Sequence, residues 1–174
     1  MTITGKEKDY KPIVKVNDNN YIISWNKEMM ESKDSSSTSS KKLVGEPIYT
    51  WESFEFRHKP TPIEIKNFIY NKINSQVEYS IKNYFKWNGY SVKLSKENQA
   101  DYKMFYDLAV QSEGKSLPVT LKFYKNDKPE LYTFELLDEF RDFYTKMVAH
   151  INNCLKYGWE RKELFHIEDY YTGE

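Results

Sequence analysis

Two side chains able to ligate a metal or attack a carbonyl stand four residues apart near the end of the chain, His150 and Cys154. On a helix that spacing puts an imidazole and a thiol on one face. Such a pair could begin a zinc site or form a thiol nucleophile with its base. The sequence completes neither. His58 and His166, the other histidines, have no His or Cys at ligand spacing, and two ligands leave a tetrahedral site unfilled. No glycine loop offers backbone N–H groups to an oxyanion. The pair reads instead as a cysteine in the core beside a partly exposed imidazole. The acids Asp138, Glu139 and Asp142 suit the positive end of a helix, and Glu168-Asp169 reads as a solvated tail. With 6 glycines scattered along the chain, no phosphate-cradling loop is present. No metal, cofactor or catalytic residue is implied, and the expectation is a protein that is not an enzyme.

Rings and lysines crowd one stretch, Tyr84, Phe85, Lys86, Trp87, Tyr90 and Lys93, where bases could stack while ammonium groups hold phosphates. Charge argues against it: Lys+Arg and Asp+Glu both number 26, which gives no long-range attraction to nucleic acid or to an anionic membrane. No apolar run approaches the roughly 20 residues needed to span a bilayer. The single cysteine excludes an intrachain disulfide, and no signal peptide is apparent, so the expectation is synthesis in a cytoplasm. Trp and Tyr also anchor protein interfaces. On that ground Tyr21, Trp25, Trp51, Trp159, Tyr170 and Tyr171 are the candidate interface residues. Core packing is the alternative for at least two of Trp51, Trp87 and Trp159.

Of the elements that must position these groups, the clearest is residues 85–99. Asn88-Gly89 readily takes positive φ at both central positions of a type I′ turn, and Ser95 with Glu97, Asn98 and Gln99 behind it opens a helix. The predicted hairpin stands between two helical patterns. Upstream, Thr61 and Pro62 start a helix to about residue 83, with Ile65, Phe68, Ile69, Ile73, Val77, Ile81 and Tyr84 at helical spacing. Downstream, the second helix runs to about Ser112, with Tyr102, Phe105, Leu108 and Ala109 buried and Gly114 near C′. Residues 118–123 and 131–134 form a second hairpin around Asn126-Asp127-Lys128-Pro129. The last helix carries the broadest stripe: Phe140, Phe143, Tyr144, Met147, Val148, Ile151, Cys154 and Leu155, with Gly158 ending it.

Before residue 60 the pattern is weaker. Residues 1–11 read as a tail, residues 13–25 as a hairpin around Asn17-Asp18-Asn19-Asn20, and residues 26–46, with the run Ser35 to Ser40, as a flexible loop. Residues 48–56 alternate in two phases, which a bulge near Glu52-Ser53 would reconcile. An isolated hairpin is marginally stable, so residues 13–25 are expected to add to a partner's sheet edge. The fold class is therefore α+β: small antiparallel hairpins packed on three helices (α-ββ-α-ββ-α) after a β-rich N-terminal region. The domains are 1–59, 60–162 and a C-terminal tail, 163–174.

The succession Phe85-Lys86-Trp87-Asn88-Gly89-Tyr90, Leu94-Ser95-Lys96-Glu97-Asn98-Gln99, Leu117-Pro118-Val119-Thr120, Tyr132-Thr133-Phe134 and Met147 to Leu155 resembles a domain family of phage and prophage tail-fibre and tail-fibre assembly proteins. In that family a Trp-x-Gly hairpin opens onto a Ser-x-Glu-x-Gln helix, and a later hairpin leads to a final helix. The resemblance covers residues 85–162. It implies a structural tail, baseplate or fibre-adaptor protein in the virion, bound to other tail or fibre subunits in multiple copies of a symmetric assembly. An assembly chaperone not retained in the particle is the alternative, and a nucleic-acid-binding or enzymatic accessory factor ranks below it. No activity is implied.

Overall fold

The structure is a computed structural model that describes residues 1–29 and 48–170. The serine-rich stretch and Tyr171 lie outside the described residues. The chain divides into two compact units, Met1–Tyr70 with Phe165–Glu174, and Asn71–Leu164. That boundary differs from the expected 59/60: it falls inside a helix, and the C-terminal segment belongs to the first unit.

The first unit holds a four-stranded antiparallel sheet of β1 (Thr2–Lys6), β2 (Ile13–Lys15), β3 (Tyr21–Met29) and β4 (Ile48–Phe56), in the order β1-β4-β3-β2. Two expectations are corrected here. Residues 1–6 are not a tail: β1 pairs with β4, and the Met1 ammonium donates to the Ser53 carbonyl at 3.0 Å. Nor do residues 13–25 wait for a partner's edge, because β3 lies between β2 and β4 of its own chain. Asn17 Oδ1 accepts from the N–H groups of Asn19 and Asn20, closing the connection as an Asx turn. The bulge predicted in β4 is on the opposing strand. One extra residue is accommodated in β3 between Trp25 and Glu28, where Asn26 takes φ +60°, a conformation asparagine tolerates better than most residues. β4 itself runs unbroken, so its two aromatic phases cover both faces. Phe54 and Phe56 meet Phe68 edge-on, and Trp51 meets Tyr10.

The first helix, α1 (Pro62–Tyr84), starts as predicted. The Thr61 hydroxyl accepts from Glu64 N–H while the Glu64 carboxylate accepts from Thr61 N–H at 2.7 Å, a reciprocal capping box. The bond from Thr61 N–H also holds the Glu64 carboxyl below its usual pKa. Ile65, Ile69, Ile73 and Val77 are buried along one stripe, while Tyr84 is exposed.

The second unit contains β5 (Lys86–Trp87), β6 (Tyr90–Ser91), α2 (Lys96–Gln111), β7 (Val119–Lys125), β8 (Lys128–Phe134) and α3 (Leu137–Glu163). Its two hairpins join into one antiparallel sheet, β5-β6-β7-β8. Asn88 at φ +47° and Gly89 at φ +80° make the predicted type I′ turn, and Asn126 and Asp127 repeat it with φ +50° and +60°. Pro129 therefore lies within β8, on the sheet edge, where a missing N–H breaks no ladder bond. Ser95 caps α2 by accepting from Asn98 N–H. At its far end the N–H groups of Glu113 and Gly114 return to the carbonyls of Val110 and Ala109, a Schellman motif with Glu113, not Gly114, at C′. The core is built from rings. Trp87, Tyr102, Phe123, Phe134, Phe140 and Phe143 are buried in contact with one another. Such pairs add about 0.5–1.5 kcal/mol each beyond their area.

Gly158 does not end α3, which continues five residues further to Glu163. It is buried, and a Cβ there would lie 2.6 Å from Val77 Cγ2. The glycine lets α1 and α3 approach closely within this unit.

Candidate protein-binding face on the last helix

The groups with reactive chemistry are used structurally. Cys154 Sγ lies 3.7 Å from His150 Nε2, but the same nitrogen is 3.3 Å from the Ser80 carbonyl, and the ring packs on Phe85. Burial pushes the Cys154 thiol pKa up, away from the thiolate a nucleophile requires. The acids at the start of α3 are each engaged. Asp138 pairs with Arg141, Glu139 accepts from Tyr132 OH, and Asp142 accepts from Trp87 Nε1 at 3.0 Å and from Lys146 Nζ at 2.8 Å. The Lys146 and Trp87 bonds hold the Asp142 carboxyl low, and the Glu139 bond, with some desolvation, raises Tyr132 to about 12. Among the described residues no three His, Cys, Asp or Glu side chains converge on a metal site, and no helix is long and apolar enough to cross a membrane.

The ring-and-lysine stretch does not form a stacking platform. Phe85 and Trp87 are core residues and Tyr90 is half-buried against Phe123 and Tyr132, which leaves Tyr84 as the exposed ring of the set.

The candidate interface anchors separate by burial. Trp25, Trp51 and Tyr170 are corrections: each is buried in the first unit and presents almost no surface. Tyr170 instead donates to the Ser24 carbonyl at 3.1 Å, beside a second bond from Tyr10 at 3.2 Å. β2 is only three residues long, so Ser24 lies past its end. Pro12 O takes the Ser24 N–H, and the two phenols satisfy its carbonyl. Burial raises the pKa of both phenols. Tyr21 is half-buried in β3. Among the anchors that lie in the described residues Trp159 alone is largely exposed, at 56%.

Trp159 does not stand alone. Val148 is 45% exposed and Leu155 36%, and both had been expected on the buried stripe. Tyr144 and Ile151 are half-buried beside them. Tyr144, Val148, Ile151, Leu155 and Trp159 succeed one another at spacings of 4, 3, 4 and 4 residues, close to the alternation of three and four that keeps one seam facing a partner helix. The stripe on α3 is thus wider than its own unit covers. Phe140, Phe143 and Met147 fill the core; on the adjacent flank Tyr144 stacks on Tyr106 and Ile151 packs against the core, while Val148, Leu155 and Trp159 are exposed. Towards solvent the flank is bordered by Thr145 and Asn152, both exposed and uncharged. Five apolar residues repeating beyond the width one neighbour can cover were the signal in the sequence, and Trp159 past the expected end of the helix concealed it.

No protein-family model, curated protein or solved structure matches this chain.

Proposed function

We propose that this chain is a structural, non-enzymatic component of a phage virion, a tail, baseplate or tail-fibre adaptor that binds neighbouring subunits through exposed apolar surface. The observation that carries the reading is how the residues of the resemblance are used. Asn88-Gly89 turns the hairpin and Ser95 caps α2. Asn98 and Gln99 return their side-chain amides to the carbonyls of Lys93 and Leu94 at 2.7 and 2.8 Å, and Trp87 bonds Asp142 from the core. Every one of these groups is spent on holding the module together, as suits a scaffold whose work is done by its surface. The α3 flank is the contact face this reading assigns.

Mass spectrometry of purified particles of the encoding phage tests the proposal: the chain is expected there in fixed copy number. Its absence from particles, with recovery on unassembled fibre subunit, would replace the virion role with that of an assembly chaperone.

A further inference from the structure

We infer that residues 165–170 form a releasable strap that locks the β2 edge of the first unit's sheet, supplying through Tyr170 the hydrogen bond that Pro12 cannot make. The register of β2 on β3 sets Ile13 opposite Ile23, Val14 opposite Ile22 and Lys15 opposite Tyr21. One step further it sets Pro12 opposite Ser24, and the Ser24 N–H donates to Pro12 O at 2.9 Å. In an antiparallel pair bonded this way the opposing residue returns the bond, its own N–H donating to the facing carbonyl. Proline has no N–H to return. Ser24 is 4% exposed, so its carbonyl loses a ladder partner where water does not replace it, at a cost comparable to a lost hydrogen bond. The hydroxyl groups of Tyr10 and Tyr170 take that place at 3.2 and 3.1 Å, one for each lone pair. Tyr10 is local, two residues before Pro12. Tyr170 comes from the other end of the described chain.

The segment that carries Tyr170 is lightly held. His166, Glu168 and Asp169 are exposed, and the Asp169 N–H is turned back on the His166 carbonyl. Phe165 and Ile167 are half-buried, with the Phe165 ring between those of Tyr70 and Tyr170. Among the described residues, the hydrogen bond that ties the segment to the sheet is the one from Tyr170. A segment joined by so few contacts opens at a small part of the free energy of unfolding. Opening withdraws one donor from Ser24 O at the position where β2 has none to give, and closing restores it.

Hydrogen exchange of the full chain, followed at single amides by NMR, tests the strap. Tyr170→Phe should speed exchange of the Ser24 N–H about fivefold, the factor expected for one hydrogen bond. The amides of β1, paired with β4 on the opposite edge of the sheet, should change less than about twofold. Restoring the missing donor should make the hydroxyl dispensable: in a Pro12→Ala background, Tyr170→Phe should alter Ser24 exchange less than about twofold. Circular dichroism checks that each variant stays folded. An equal effect of Tyr170→Phe in both backgrounds, or no effect at Ser24, would overturn the inference. Equal acceleration at Ser24 and in β1 would overturn it too, because the segment would then be part of the cooperative core and not a strap. That comparison needs Tyr170→Phe alone, so it decides the matter even if Pro12→Ala fails to fold.

Discussion

Both units pack ring on ring, but they differ in what completes them. In the second, Trp87, Phe123, Phe134, Phe140 and Phe143 pack ring against ring with centroids 4.6 to 6.2 Å apart, and all come from one continuous stretch of chain. In the first, Tyr10 and Tyr170 matter through their hydroxyl groups, which close the backbone of Ser24 where β2 runs out, and Tyr170 arrives from 146 residues away. A ring core tolerates small shifts because apolar contact is not directional. A hydroxyl closing a buried carbonyl works only at hydrogen-bond distance, so the first unit is complete only when the C-terminal segment has returned.

That contrast can be broken most severely at Trp87. Trp87→Ala removes the central ring and the bond to Asp142, and should cost about 3–5 kcal/mol. Urea unfolding followed by hydrogen exchange should show the loss among residues 71–164. A smaller net loss, up to about 2 kcal/mol, is expected for Gly158→Ala, because the added methyl meets Val77 and overpacking of about 1–3 kcal/mol is offset in part by a gain in helix propensity of about 1 kcal/mol. The double variant with Val77→Ala should be less destabilised than the sum of the two singles. If the effects merely add, the close approach is not the reason for the glycine.

In the first unit the directional bond predicts a milder effect. Tyr170→Phe leaves Ser24 O with the Tyr10 bond, so thermal unfolding should report a loss of about 1 kcal/mol, with faster amide exchange near Ser24 and little change around Trp87. The smallest effect is seen only in alkali. Burial raises Tyr102 from 10.0 to about 12. The unfolded phenol therefore loses its proton first, the native state binds more protons, and stability falls as pH rises from 10 towards 12. Tyr102→Phe should flatten this part of the alkaline unfolding profile; an unchanged slope would mean that Tyr102 does not contribute to it.

Local chemistry made much of the chain from Thr61 onward legible. Asn88-Gly89 dictates a type I′ turn because both residues accept positive φ, Ser95 and Thr61 cap helices because their hydroxyls reach orphan N–H groups, and Pro62 sits where its missing N–H is harmless. The candidate surface was legible in part. The residues of the α3 stripe were named, and Trp159 was among the anchors, yet periodicity reports that a side chain is apolar and not which neighbour, if any, covers it. For the same reason Trp25, Trp51 and Tyr170 looked like anchors until the sheet and the returning segment enclosed them.

What the sequence determined alone was thus the helix starts, the tight turns and the ring-rich helical stripes, all decided within a few residues by dihedral preference and side-chain reach. Only the tertiary structure decided that residues 2–6 are a strand, since β4 supplies their hydrogen bonds, and that Gly158 lies inside a helix, since Val77 from another element excludes a larger side chain. It also decided which part of the α3 stripe is core and which is surface. Pairing, close approach and exposure are set by partners distant in the sequence, and local propensity carries no information about them.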